Sequence, residues 1–323
     1  MKRRDFLALA GATAALPRAS RAQSSNKMLR VGTVHVTPRS APLWVAFEKR
    51  MAELGYQEGR NFTFDFIQIP DAQGWGSGYR ELVARKPDVV LAVGPEIALK
   101  SALAAGEKLP LVMVAVDFDP IARGYVANLG RPGGAVTGLY FQSTELAGKR
   151  LQLMKEAIPA MTAATVLWDR AAADNWAAMQ AAAPRLGVRL TGVEFRDRPY
   201  DYERVIAEVA PADRAVLFGG GSPFFYQDRA ILTEFALRHR TPMMLNTREA
   251  VVAGGLMSYA ASLTGMLELA SSYVDRIAKG ASPADLAIQQ PTKFETIINL
   301  KTARTLGLSI SQLVIAQADE VIE

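Results

Sequence analysis

The stretch DVVLAVGPEIALKSALAAGEKLPLVMVAV, residues 88–116, decides the fold. It opens on an apolar run at 88–93, passes through a helical segment at 96–106 and closes on a second apolar run at 111–116. Strands that are apolar throughout, rather than alternating, are buried on both faces, and two of them joined through a helix pair in parallel. The same unit extends in both directions. Upstream, strands are expected near 29–36 and 61–67, with helices near 42–54 and 76–86; downstream, a turn at 119–127 leads to a strand near 135–140.

A second set follows the same plan. Its strands are expected near 164–168, 188–194, 214–218, 242–246 and 255–259, its helices near 143–157, 173–186, 201–210 and 223–239. A helix at 262–279, a strand at 293–299 and a helix at 300–306 finish the chain. Leu54-Gly55 and Leu186-Gly187 end equivalent helices, with glycine suited to the left-handed turn that stops a helix. The expected class is therefore α/β in two lobes, each a mostly parallel sheet flanked by helices, joined by a hinge. An N-terminal lobe of residues 29–140 and 250–283 and a C-terminal lobe of residues 141–249 and 284–323 accommodate the length.

The 323 residues are 50% hydrophobic and contain no cysteine, so two cores are affordable and disulfides and thiolate chemistry are excluded. The net charge of +5 is concentrated at the start: residues 1–22 hold five basic side chains and one acid, and without them 32 positive groups face 31 negative. That near-neutral remainder excludes a bulk electrostatic grip on nucleic acid. The start itself reads as an export address. Lys2-Arg3-Arg4 precedes a short apolar segment, and Ser20-Arg21-Ala22 offers small residues for a signal peptidase, so cleavage is expected after Ala22, placing the protein in the periplasm.

In parallel sheets ligands bind beyond the carboxyl ends of strands, where helix amino ends present free N–H groups. The candidate ligand-binding residues are accordingly Thr37, Arg39, Ser40, Gly94, Pro95 and Asp117 in the first lobe, with Trp168, Asp169, Gly220, Ser222, Phe224, Asn246 and Arg248 in the second. Ser40 and Ser222 also suit helix N-caps. Arginines here would clamp a carboxylate, the acids would accept from an amine, and Trp168 and Phe224 would stack on a planar solute. Phosphate-loop and dinucleotide readings fail, because Leu99 and Phe224 stand where glycines are required. His35 and His239 are the only imidazoles, in no metal-ligand or triad spacing, so no catalytic residue, metal or cofactor is expected.

Five segments carry a family resemblance: Arg3-Arg4-Asp5-Phe6-Leu7, and residues 54–61 (LGYQEGRN), 131–138 (RPGGAVTG), 253–259 (AGGLMSY) and 290–303 (QPTKFETIINLKTA). With them the chain resembles the type I periplasmic solute-binding proteins of ABC transporters, in the branch predicted to serve amino acids, peptides or similar small solutes, and its start resembles a twin-arginine signal. The resemblance implies a small-molecule solute, an inner-membrane permease and ATPase as partners, a monomer, and hinge closure with no chemistry performed. An amino acid or an aromatic, planar carboxylate is favoured. A periplasmic sensor for a membrane kinase would use the same fold, and a periplasmic hydrolase is a further alternative. Residues 168–176 (WDRAAADNW) depart from the Asn-Pro-rich loop usual there and add two indoles near the expected cleft.

Overall fold

The computed structural model describes residues 28–208, 216–218 and 222–323. In the first lobe β1 (Leu29–His35), α1 (Pro42–Glu53), β2 (Phe62–Gln68), α2 (Gly74–Ala84), β3 (Val89–Gly94), α3 (Glu96–Ala105), β4 (Leu111–Ala115) and β5 (Val136–Tyr140) alternate. Every pairing is parallel, in the order β2-β1-β3-β4-β5. β3, β4 and β5 are buried residue by residue, as the unbroken apolar runs of β3 and β4 require. Pro42 starts α1, which buries Leu43, Trp44, Phe47 and Met51; Gly55, at φ +94°, turns the chain out of it.

The second lobe repeats the plan with α4 (Ala147–Ala157), β6 (Ala163–Asp169), α5 (Ala173–Leu186), β7 (Arg189–Phe195), α6 (Tyr202–Glu208) and β8 (Val216–Phe218). It continues through α7 (Pro223–Gln227), α8 (Arg229–Arg238), β9 (Met243–Leu245), α9 (Arg248–Val252) and β10 (Met257–Ala260). After α10 (Leu263–Ala278) come β11 (Glu295–Asn299), α11 (Leu300–Leu306), α12 (Gln312–Ala316) and β12 (Glu320–Ile322). The sheet order is β12-β11-β10-β9-β8-β6-β7. From β7 to β10 this is the order of the first sheet again, and β11 adds on antiparallel to β10.

Three expectations change. β10 pairs with β9 and β11 in the second sheet, so the chain re-enters the first lobe at α10, after Ala260 rather than at 250. The return path is also later than 284: Gln289 bonds to Gly138 and Tyr140 beside β5, and crossing follows at 290–294. The helix expected over 223–239 breaks at Asp228, whose carboxylate is held by Arg198 and by the Tyr202 hydroxyl at 2.7 Å. α9, α12 and β12 were not among the expected elements; each has at most five residues, too few to show a period.

α10 packs on α1 and over β3, β4 and β5, closing one face of the first sheet, while α2 and α3 cover the other. The lobes touch. Tyr226 and Phe224 each join a first-lobe core cluster, and Arg123 of the first lobe bonds Asp174 of α5 at 2.6 Å.

Candidate functional site

Sheets of order 2-1-3-4-5 have a switch point between the first and third strands, where neighbouring crossovers leave in opposite directions and open a crevice. In the first lobe that point lies at His35 and Gly94, the last residues of β1 and β3. In the second it lies at Asp169, the last residue of β6, beside the start of α7. The two crevices face each other. Between them lies a cleft of about 480 Å³, counted out to its mouth, with an apolar wall of Leu43, Val93, Val116, Phe141, Pro223 and Leu263. Polar groups enter it from His35, Gly94, Ser222, Tyr226, Asn246 and Thr247. An apolar cavity with a few convergent polar groups, contributed by both lobes, is built to hold a small organic molecule.

His35 is neutral there, because burial pushes its pKa down to about 3. Its Nδ1 accepts the Thr37 backbone N–H at 3.1 Å and lies 2.7 Å from the Thr37 hydroxyl, which itself accepts from Trp44 Nε1 at 3.1 Å. With Nδ1 an acceptor, the single proton belongs on Nε2. Nε2 points to Gly94, where a Cβ would lie 3.9 Å from it; at φ +110° that position favours glycine in any case. His35 therefore offers the cleft one neutral donor.

Two buried acids, one from each lobe, lie next to residues that line the cleft: Asp117 follows Val116 and Asp169 bonds to Ser222. Asp169 is saturated: it caps Ala171 and Ala172 at 3.0 and 3.2 Å and accepts the hydroxyls of Tyr200, at 3.1 Å, and Ser222. Asp117, directly after Val116, is 4% exposed and one of its carboxylate oxygens has no partner within the protein. Loss of water pushes its pKa well above the usual carboxylate range; backbone N–H groups oppose the shift, and the charges of Asp169 and Asp174 add to it. The Tyr226 hydroxyl and the Thr247 hydroxyl, both lining the cleft, likewise have no partner within the protein. Buried polar atoms without a partner occur elsewhere in the molecule as well, but these two hydroxyls belong to residues that line the cleft, where a solute's polar groups can reach them.

The structure divides the expected site residues. Gly94, Ser222 and Asn246 line the cleft, Pro95 caps α3 beside it, and Asp117 and Asp169 form the acid pair. Phe224 packs into the first-lobe core and under the Arg198 guanidinium, 4.6 Å from its ring. Thr37 spends its hydroxyl on His35 and Trp44. Ser40 is exposed, and α1 is capped at Ala41 without a side chain. Arg39 is forked onto Glu48 at 2.8 and 2.6 Å, and Arg248 onto Glu320 at 2.7 and 2.6 Å, so both guanidinium groups are engaged by acids of the protein itself. Gly220 lies outside the described residues. Tyr226, within the short helix α7, was not among the expected ligand residues; His35, which ends β1, and Thr247, which caps α9, lie at the carboxyl edge, the same signal that selected their neighbours.

Trp168 corrects the expectation most. Side chains alternate along a strand, so with Asp169 toward the cleft Trp168 takes the opposite face. It stacks on Trp176 of α5 at 6.3 Å, and Trp176 in turn lies against Gly192 of β7. Trp168→Ala is expected to cost about 1–2 kcal/mol of stability from lost packing, in denaturant unfolding, with solute affinity within twofold of wild type by calorimetry.

A protein with two similar α/β lobes and an apolar cleft between the carboxyl edges of their sheets has the type I periplasmic-binding-protein fold, and solved structures share it. An ABC domain in complex with L-Trp from Streptococcus pneumonia superposes with a TM-score of 0.80 at 21% identity, over 92% of this chain and all of that one. A conserved domain protein from Vibrio cholerae gives 0.82 at 20% identity, over 91% and 100%. The curated relative "Tyrosine-binding protein" of Clostridioides difficile is 23% identical over 279 residues, 81% of this chain and 75% of its own. The chain belongs to the ABC transporter substrate-binding protein family, which matches it over residues 45–322. Proteins of this family bind small solutes and work with a membrane permease and its ATPase.

Proposed function

We propose that this protein captures an aromatic L-amino acid in the inter-lobe cleft, with its ammonium group against Asp117, and delivers it to the permease. The observation that carries the reading is the buried Asp117 carboxyl group, which has one oxygen without a partner and feels the charge of a second acid, so that a cationic group placed against it relieves both desolvation and repulsion of the ionised form. The His35 Nε2 proton and the Tyr226 and Thr247 hydroxyls supply donors for a carboxylate or a ring hydroxyl, and the apolar wall suits an aromatic side chain. The tyrosine-binding relative and the L-Trp complex agree with this class of solute. Capture changes no bond in the solute, and the protein works as a monomer. Addition of L-tryptophan or L-tyrosine at a hundred times Kd should raise stability by about 2.7 kcal/mol through mass action. A thermal-shift series should therefore respond to these two and not to pentoses. A response to pentoses alone would replace the amino-acid reading with a sugar-binding one.

Delivery to a permease requires export, for which Arg3-Arg4-Asp5-Phe6-Leu7 is the proposed twin-arginine signal. Changing both Arg3 and Arg4 to Lys should leave full-length precursor in the cytoplasm, seen by fractionation. Normal periplasmic accumulation of that variant would show that another route is used.

A further inference from the structure

We infer that Arg150 is the pin of the hinge: one buried guanidinium that ties the inter-lobe crossings together and thereby sets how far the lobes open. Arg150 belongs to α4, is 1% exposed, and among the described residues its partners are carbonyl and hydroxyl oxygens, with no ion pair. Burial lowers its pKa to about 10, still far above neutrality, so the charge is present without a counter-charge. A lone cation in a protein interior is costly and persists only where its donors are well used.

Its donors go to the hinge. Nη1 donates to the Ser143 carbonyl at 3.0 Å and Nη2 reaches the Ser143 hydroxyl at 3.5 Å; Ser143 lies in the first crossing, between β5 of one sheet and α4 of the other lobe. Nε donates to the Tyr259 carbonyl at 2.8 Å, in β10, two residues before the second crossing at 261–262. The Tyr259 ring packs on Phe294, in the third crossing at 290–294, with 6.0 Å between centroids. A planar fork is suited to holding two backbone segments at a fixed separation, which a flexible ammonium does not do. Next to Ser143, Gln142 sits at φ +59°, a left-handed conformation that a non-glycine residue keeps only where its surroundings impose it. The first crossing is thus both bent and clamped, and the clamp belongs to Arg150.

This inference rests on solute capture by lobe closure, but its test does not need the solute. The chain has no cysteine, so Ile121→Cys and Gln180→Cys, on opposite lobes, accept a pair of spin labels in an otherwise unmodified protein. In the wild-type background the inter-label distance without added amino acid should be narrowly distributed. With Arg150→Met it should broaden toward longer distances, and with Arg150→Lys broaden less. Saturating L-tryptophan should bring both variants to the distance of the solute-bound wild-type background, at an affinity lowered roughly tenfold, because only the closed fraction binds fully. Unchanged distributions in folded Arg150→Met overturn the inference; if that variant does not fold, an unchanged distribution in Arg150→Lys overturns it. Loss of L-tryptophan binding by the wild-type background, with the broadening still seen, would fault the solute assignment and leave the pin standing.

Discussion

Asp117→Asn should weaken binding of L-tryptophan by about 3 kcal/mol, roughly 150-fold in Kd, while making the protein without added solute more stable. The two effects have one cause. The carboxylate is buried, has an oxygen without a partner and lies in the field of Asp169 and Asp174, so its charge is a cost until a cation meets it. Removing one member of a buried charge pair typically costs 2–5 kcal/mol of binding, and the estimate of about 3 takes the lower half of that range. The pH dependence follows from the direction of the shift. Because the folded protein holds this proton more tightly than the unfolded chain, Asp117 favours folding most at acid pH. Its contribution declines as pH rises above the ordinary value of 3.8 toward the raised one. The stability difference between Asp117→Asn and wild type should therefore grow as pH increases from about 4, in denaturant titrations at stepped pH. A variant that binds L-tryptophan normally and shows no such growth would remove Asp117 from the site.

Asp169→Ala is expected to do the reverse, destabilising by about 3 kcal/mol whatever the solute. This acid accepts two backbone N–H groups after β6 and the hydroxyls of Tyr200 and Ser222, so its loss uncaps the turn and strands two donors. Asp169→Asn keeps acceptor oxygen at the turn and should lose less than 1 kcal/mol, since burial already penalises the charge. Denaturant unfolding of the pair separates the two roles: a large loss in Asn as well as Ala would mean that the charge itself, and not the hydrogen-bond geometry, holds the loop. On this account the two acids serve different ends, one organising the second-lobe edge and the other proposed to meet the solute's cation.

Much of this architecture is legible in the chain because its strands are buried on both faces. Runs such as Val89–Val93 and Leu111–Ala115 leave no polar face to confuse the reading, and glycines such as Gly187, at φ +61°, mark helix ends by their backbone needs. The carboxyl-edge rule then finds the right loops. It does not find the right side chains within them, because which face a residue takes depends on register. Asp169 and Trp168 are adjacent, yet one turns to the cleft and the other to α5. Arg39 and Arg248 look free in sequence, while the acids that occupy them, Glu48 and Glu320, come from α1 and from β12. The crossing lies later than the sequence suggests for a similar reason, since β10 lies between β9 and an antiparallel partner 41 residues away in sequence, Ile298 opposite Met257.

The central claim is that the cleft recognises an amino acid through its ammonium group, and calorimetric titration of the purified protein with L-tryptophan and then with indole-3-propionate tests it directly. The two molecules share the ring system and the carboxylate and differ in the amine. One-to-one binding of L-tryptophan, with indole-3-propionate at least roughly 100-fold weaker in wild type and the gap largely closed in Asp117→Asn, is the predicted result. Equal affinity of the wild-type protein for both would contradict the account, because the buried carboxylate would then be indifferent to the charge it is proposed to meet.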